Sequence, residues 1–244
     1  MRNQSTDSDG PSGVLLIDKA EDMTSHDVVA IARRALNTKK IGHCGTLDPM
    51  ATGLLMLVIG RATKIQDLLM SEDKQYVGTL TLGSTTSTQD RQGDTLETKP
   101  VGDYSREEIH AVFDGFMGEF EQIPPMVSAI KKDGVPLYKL ARKGIEIVRE
   151  PRKVHITSYE VSRIELPEVD FTVNCSKGFY VRTYAHDIGA NLGCGGHLSA
   201  LRRTRSGKFT LDRAVPVADL KTSPREDLLK ALISLAEISL MRGA

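Results

Sequence analysis

Asp48 stands in the stretch GHCGTLDPMATG, residues 42–53, a single carboxylate among small residues and directly before a proline. Glycines at 42, 45 and 53 let the backbone take positive φ or approach a neighbour closely, and Pro49 fixes φ and removes a donor. Such a stretch holds one shape and presents Asp48 from it. On these residues alone it describes a tight turn with a solvated acid as well as it describes a nucleophile. A lone acid acts as a nucleophile when something keeps it ionised and aligned. Arg182, in GFYVRTY, suits that task, because a guanidinium is permanently charged and can grip a carboxylate at two points. Its plainer role would be a surface salt bridge. Tyr76, in DKQYVG, alternates into a strand, where it serves either as core or as a flat face for a base with a hydroxyl for proton traffic. Asp90, in TSTQDRQG, completes the candidates.

Several chemistries are excluded by what the chain lacks. Asp48 has no companion carboxylate at the spacing of a glycosidase pair. There is no GxSxG, no GxxxxGK[ST] and no HExxH, and SGKF at 206–209 imitates only part of a phosphate loop, since Phe209 sits where Ser or Thr belongs. Cys44, Cys175 and Cys194 are odd in number and far apart, which argues for a reducing, cytoplasmic setting. Pairing Cys194 with His197, or His43 with Cys44, gives half a zinc site at most, so the cysteines are expected to be structural and no metal is expected.

The elements that must position these residues follow from pattern. The chain has 244 residues, 40% apolar and 26% charged, an ordinary soluble globular composition that can bury a full core. No apolar run approaches the roughly 20 residues of a membrane span. Residues 1–12, MRNQSTDSDGPS, lack the apolar core of a secretory signal and are expected to form a disordered lead-in. GVLLIDK reads as a strand, and TSHDVVAIARRALN as a helix capped by Thr24 or Ser25. GLLMLVIG is a buried strand, RATKIQDLLM a short helix, KQYVGTLTLG a strand and STTSTQDRQGD a polar loop. SREEIHAVFDGFMGEF reads as a helix with a Ser105–Glu108 capping box. KVHITSYEVSRIEL and VDFTVNCSKG are strands, and FYVRTYAHDIGANLG is a helix. GGHLSALRRTRSGKFTLD mixes a turn with a final strand, and SPREDLLKALISLAEISL closes the chain as a helix. The irregular alternation with hairpin-like neighbours favours an α+β fold.

Net charge is zero, but its distribution is uneven. Residues 124–155 hold eight basic residues against three acids, and residues 174–213 hold seven against two. Two basic segments on an otherwise acidic chain suggest a face for a polyanion, against the plainer reading of solvated surface.

Five segments in order resemble the TruB family of tRNA pseudouridine synthases: GVLLIDKAEDMTSHDVV, GHCGTLDPMATGLL, DKQYVGTLTLGSTTSTQDRQGD, PPMVSAIKKDGVPLYKLARKGIEIVREPR and CSKGFYVRTYAHDIGANLGCGGHLSALRRTRSGKF. The resemblance covers nearly the whole chain after residue 12. It implies a pseudouridine synthase fold, α+β with a central mixed, mostly antiparallel sheet flanked by helices, and an activity that isomerises uridine-55 in the T-loop of tRNA. It places the catalytic aspartate on Asp48, the tyrosine that stacks on the target base on Tyr76, and the arginine paired with the aspartate on Arg182. Tyr180 and Leu201 match base-contacting positions, His43 the histidine that props the T-loop open, and Asp90 an acid of the cleft. The basic excursion at 124–152 matches the family's thumb, with Lys131, Lys132, Lys139, Arg142 and Lys143 as its RNA-facing cations. The resemblance also implies a catalytic domain at 13–244, no cofactor, tRNA as the partner, no required protein partner and a monomer.

The chain departs from the family in Cys44, where threonine is usual, in DKAEDMTS, which lacks the usual Pro and Gly after Lys19, and in Lys208, where proline is common. A C-terminal PUA-like RNA-binding domain, present in many relatives, is not expected within the 244 residues. The rival readings are an RNA-binding or tRNA-folding factor that keeps the grip without the chemistry, and a pseudouridine synthase acting on another RNA. Zinc-dependent deamination of a flipped base lacks its ligands.

Overall fold

A computed structural model describes residues 10–243, so most of the expected lead-in at 1–12 lies outside the described residues. Backbone packing divides the described residues into two compact units: residues 10–71 together with 207–243, and Glu72–Ser206. No helix among the described residues is long and apolar enough to cross a membrane.

The first unit is built on strands Gly13–Lys19 and Thr52–Ile59, antiparallel, with Val14 opposite Val58 and Lys19 opposite Gly53. Strand Ile41–Cys44 pairs antiparallel with Thr52–Ile59, and Val215–Pro216 pairs parallel with Gly13–Lys19. The two central strands read as unbroken apolar runs because both faces are covered. Val14, Leu16, Leu54, Met56 and Val58 pack one way, against Cys44, Ala62, Leu69, Phe209, Ile233 and Ile238. Helix Ser25–Ala35 is capped by Thr24, whose side chain accepts from Asp27 N while Asp27 returns the bond to the Thr24 backbone.

Two helix expectations are corrected here. RATKIQDLLM begins as a 3₁₀ turn, Gly60–Ile65, and becomes α-helical only over Gln66–Met70. The closing helix is two helices, Arg225–Lys230 and Leu235–Arg242. Between them Ile233 bridges to Val14, each N–H donating to the other's carbonyl at 2.8–2.9 Å, and Ser234 restarts the helix by capping Glu237 N. A long-range backbone pairing thus interrupts a pattern whose local periodicity is helical throughout.

The second unit carries a five-stranded antiparallel sheet in the order Gly196–Ser206, Lys74–Leu82, Glu168–Cys175, Arg152–Glu165, Gly118–Gln122. Phe113, Phe116, Phe171 and Phe179 surround Tyr184 with ring centroids 5.3–5.8 Å away, which seats helices Arg106–Asp114 and Val181–Asn191 against this sheet. The Ser105–Glu108 capping box forms as expected, but the helix ends at Gly115 and GEFEQ becomes an edge strand paired with Arg152–Ile156. The polar loop after residue 83 contains a small hairpin, Ser84–Thr86 with Thr95–Thr98. Mixed, mostly antiparallel sheets and peripheral helices make the fold α+β.

Candidate active site

Asp48 is half-buried in a turn closed by Ala51 N donating to Asp48 O at 3.0 Å. Gly45 and Gly53, on either side, have φ of 79° and 93°, in the left-handed region. Gly42 serves the other purpose: a Cβ there would lie 2.6 Å from Gln66 Oε1. Gln66 in turn donates from Nε2 to His43 O at 3.2 Å, and the His43 ring meets His26 edge-on with centroids 5.2 Å apart.

What pins the turn is Lys19, the last residue of the first strand and fully buried. Its ammonium donates to Ala20 O and Met23 O, both at 2.8 Å, and to Pro49 O at 3.2 Å, so all three donors are engaged. Asp22 N also donates to Pro49 O, while Ser25 Oγ and Leu47 exchange hydrogen bonds at 2.9 and 3.2 Å. Burial lowers the Lys19 pKa to about 8, against the opposing pull of Asp48, Glu21 and Asp22. The first loop, which lacks the family's Pro and Gly, is thereby tied to the Asp48 turn through a single cation. Cys44 is buried, its thiol 3.8 Å from Gln66 O, so the exchange for threonine sits against the helix without opening the turn.

In the second unit Arg182 is buried, not a surface residue. Its Nη1 donates to Thr88 O at 2.8 Å, its Nη2 to Val127 O at 2.7 Å, and its Nε stands 3.6 Å from Asp90 Oδ2. Asp90 is equally buried, and its Oδ1 accepts from Thr88 Oγ1 at 2.5 Å and from Gln92 N at 3.0 Å, an Asx turn. One guanidinium therefore joins the 84–94 loop, the start of the 124–152 excursion and helix Val181–Asn191. Thr183 reinforces the junction by donating to Gln89 Oε1 at 2.8 Å. Tyr180, at the N-cap of that helix, is clamped by Gln122, which accepts from Tyr180 N at 2.8 Å and donates to Tyr180 O at 3.1 Å.

Tyr76 and Leu201 share a sheet face. Arg203 stands opposite Tyr76 and Leu201 opposite Gly78, two residues along the same strands. Arg203, like Arg182, is buried, so two cations of the second basic segment belong to the interior and do not add to a charged surface. Five of the eight cations of the first segment, those expected to face RNA, are exposed: Lys131 and Lys132 on a two-residue strand paired with Val135–Pro136, Lys139 in helix Leu137–Ala141, Arg142 over the Tyr138 ring at 5.5 Å, and Lys143. The base of this excursion is fastened by Arg182 to Val127 and by Arg149 Nη1 to Pro124 O at 3.2 Å.

The structure thus gathers Arg182 and Asp90 at one node, Tyr76 and Leu201 on one face, and His43 and Asp48 on consecutive pieces of one unit. The three cysteines are buried, and burial pushes the Cys175 thiol up to about 12. Among the described residues no three His, Cys, Asp or Glu side chains cluster as metal ligands would. Sequence reasoning passed over Lys19, Thr88 and Gln122, which position the others. A lysine ending the buried strand that opens with the apolar run Val14–Ile17 was the available signal for Lys19; Gln122 carried none.

Residues 33–181 match the TruB family pseudouridylate synthase N-terminal domain, and residues 182–240 match the tRNA pseudouridylate synthase B C-terminal domain. The chain is 55% identical over 221 residues to a tRNA pseudouridine synthase B of Opitutus terrae, covering 91% of this chain and 92% of that protein. It is 47% identical over 226 residues to the protein of the same name from Syntrophotalea carbinolica, covering 93% of this chain and 74% of that one. Among solved structures, a Cbf5-Nop10-Gar1 complex contains a chain that superposes with a TM-score of 0.74 at 31% identity. That match covers 96% of this chain but 63% of the other, so the present chain spans somewhat under two thirds of that structure's length.

Proposed function

The chain belongs to the TruB family of pseudouridylate synthases, and from that premise we propose that it converts uridine-55 in the T-loop of tRNA to pseudouridine. The observation that carries this reading is the 55% identity to a tRNA pseudouridine synthase B across nine tenths of both chains. The rigid presentation of Asp48 from its turn supports it. The reaction is an isomerisation: the N1–C1′ bond breaks, the base turns, C5 bonds to C1′, C5 gives up its proton and N1 gains one. Atoms and oxidation state balance without a redox cofactor.

A uridine inside a folded T-loop must leave its stack before a carboxylate can reach its sugar, at a cost of roughly a few kcal/mol. Stacking on Tyr76 returns about 1–3 kcal/mol of that. Leu201, on the same face, bounds the base, and Tyr180 contacts it from the helix N-cap. Small residues flanking Asp48 leave room for the sugar, and the turn held by Lys19 keeps the carboxylate at one position, as near-attack geometry requires. Asp48 attacks C1′ or removes the C2′ proton, Arg182 keeps it ionised, and Tyr76 takes the C5 proton after the base has turned. His43 fills the space that the flipped base vacates. The excursion at 124–152 is the thumb, its five exposed cations meeting backbone phosphates. The protein works as a cytoplasmic monomer with tRNA as its partner and needs no second protein.

Because C5 loses its hydrogen only when it bonds to C1′, release of tritium from a tRNA transcript labelled at uridine C5 reports the step directly. We expect stoichiometric release from one uridine per tRNA with the wild-type chain and none with Asp48→Asn. Release that persists in the variant would remove Asp48 from its role.

A further inference from the structure

The 124–152 excursion does not exhaust the exposed positive charge. In the first unit, residues 33–40 read RRALNTKK, four cations with no acid. Helix Ser25–Ala35 ends there, the chain turns back with Thr38 N donating to Arg33 O at 3.1 Å, and strand Ile41–Cys44 begins. Helix Val217–Thr222 lies against the same helix end and brings Lys221 beside Arg34 across a depression of about 400 Å³ floored by Ile31, Ala35 and Leu220.

Some of this charge has structural work. Arg33 donates to Ile41 O at 3.0 Å, and Arg225 Nε donates to Leu36 O at 3.0 Å, closing the helix C-terminus. Arg34, Lys39, Lys40 and Lys221 have none: all four are exposed, and none forms a hydrogen bond or an ion pair through its side chain with any described residue. The nearest acids in sequence, Asp219 and Glu226, do not pair with them. Like charges held together without counterions oppose compaction, so nothing in the stability of the unit explains the cluster.

We propose that Arg34, Lys39, Lys40 and Lys221 form a second phosphate-backbone contact for the tRNA substrate, separate from the thumb and from the reacting nucleotide. Lys39 and Lys40 stand at the start of strand Ile41–Cys44, whose four residues span about 13 Å at about 3.3 Å per residue before the chain reaches the Asp48 turn. The cations thus meet a stretch of RNA other than the flipped nucleotide. The apolar floor between Arg34 and Lys221 accommodates a ribose between two neutralised phosphates. Such contacts carry affinity and register but no base specificity. This inference rests on tRNA being the substrate.

The test measures the dissociation constant of an unmodified tRNA transcript against salt concentration, for the wild type and for two double variants, Arg34→Glu/Lys221→Glu and Lys39→Glu/Lys40→Glu. Arg213→Glu/Lys230→Glu supplies the same change in net charge at cations already paired, with Glu237 and Asp227. We expect each patch variant to bind about tenfold more weakly at moderate salt, and the slope of log Kd against log salt to fall by about one to two units, as loss of two phosphate contacts requires. The paired-cation control should keep the wild-type slope. Patch variants that match the wild type, or a control that weakens binding equally, would overturn the patch while leaving the synthase reading intact. A wild-type chain that does not bind tRNA would overturn both.

Discussion

Two buried cations, one in each unit, organise the candidate residues around them, and they do it differently. Lys19 gathers three backbone carbonyls around the turn that carries Asp48 and has no carboxylate in its grip. Arg182 gathers two carbonyls and the carboxylate of Asp90, and by doing so joins three separate segments. An ammonium can be buried among carbonyl dipoles alone, but burial then lowers its pKa, here to about 8. A guanidinium beside a buried carboxylate stays charged at any working pH. The pH sensitivity that burial gives Lys19 therefore falls on the turn that carries Asp48.

The largest effect should come from chemistry alone. Asp48→Asn should lower the single-turnover rate by about 10⁴-fold or more while tRNA affinity and the unfolding midpoint stay near wild type. If the variant instead unfolds, the carboxylate is structural and the contrast between reactive turn and supporting cation collapses.

Next in size is Arg182→Met, which leaves Asp90 buried without its cation and strands two carbonyls. It should cost about 3–5 kcal/mol of stability by denaturant titration. It should also expose the excursion at 124–152 to proteolysis, since Val127 loses its tie. Arg182→Lys retains the charge but not the fork that serves three partners, and should recover less than half of that loss.

Lys19 separates stability from activity. Its folded-state pKa lies near 8 and its ordinary value is 10.5, so between these the unfolded chain binds more protons and this group makes stability rise with pH. The neutral amine, however, has two N–H donors for three carbonyls, so the turn loosens over the same window. Activity should therefore fall above about pH 8 while thermal stability does not fall with it. Lys19→Met should abolish that activity limb and cost about 2 kcal/mol through stranded carbonyls. Parallel loss of stability and activity above pH 8 would refute the assignment.

The smallest effects are symmetrical between the units. Thr24→Ala and Ser105→Ala each remove a capping box and should each cost about 1 kcal/mol in thermal or denaturant unfolding. The activity cost should be greater for Thr24, because that helix start carries Ser25, which holds Leu47 beside Asp48.

How much was legible in the sequence follows the same division. Local chemistry could be read: the Ser105–Glu108 capping box, an N-cap at Thr24 or Ser25, the positive φ at Gly45 and Gly53, the buried two-faced strands and the hairpin at 152–175 depend on neighbours in the chain. Distant pairing could not. GEFEQ looks like more helix until Arg152–Ile156 supplies an edge to pair with, and the helix near residue 231 breaks because Val14 claims the Ile233 backbone. The site divides likewise. Asp48, Tyr76, Asp90 and Arg182 stand out by type and motif, whereas Lys19 and Gln122 matter through carbonyls and amides that no pattern marks. Arg182 was foreseen as the partner of an aspartate; its tie to Asp90 and to Val127 was not.

The central claim is tested most directly by incubating an unmodified tRNA transcript with the wild-type chain and mapping pseudouridine at single-nucleotide resolution. The account predicts one new pseudouridine, at position 55, formed without added cofactor or partner protein. A folded protein that binds the transcript and leaves every uridine unchanged, or that modifies a different position, would contradict it.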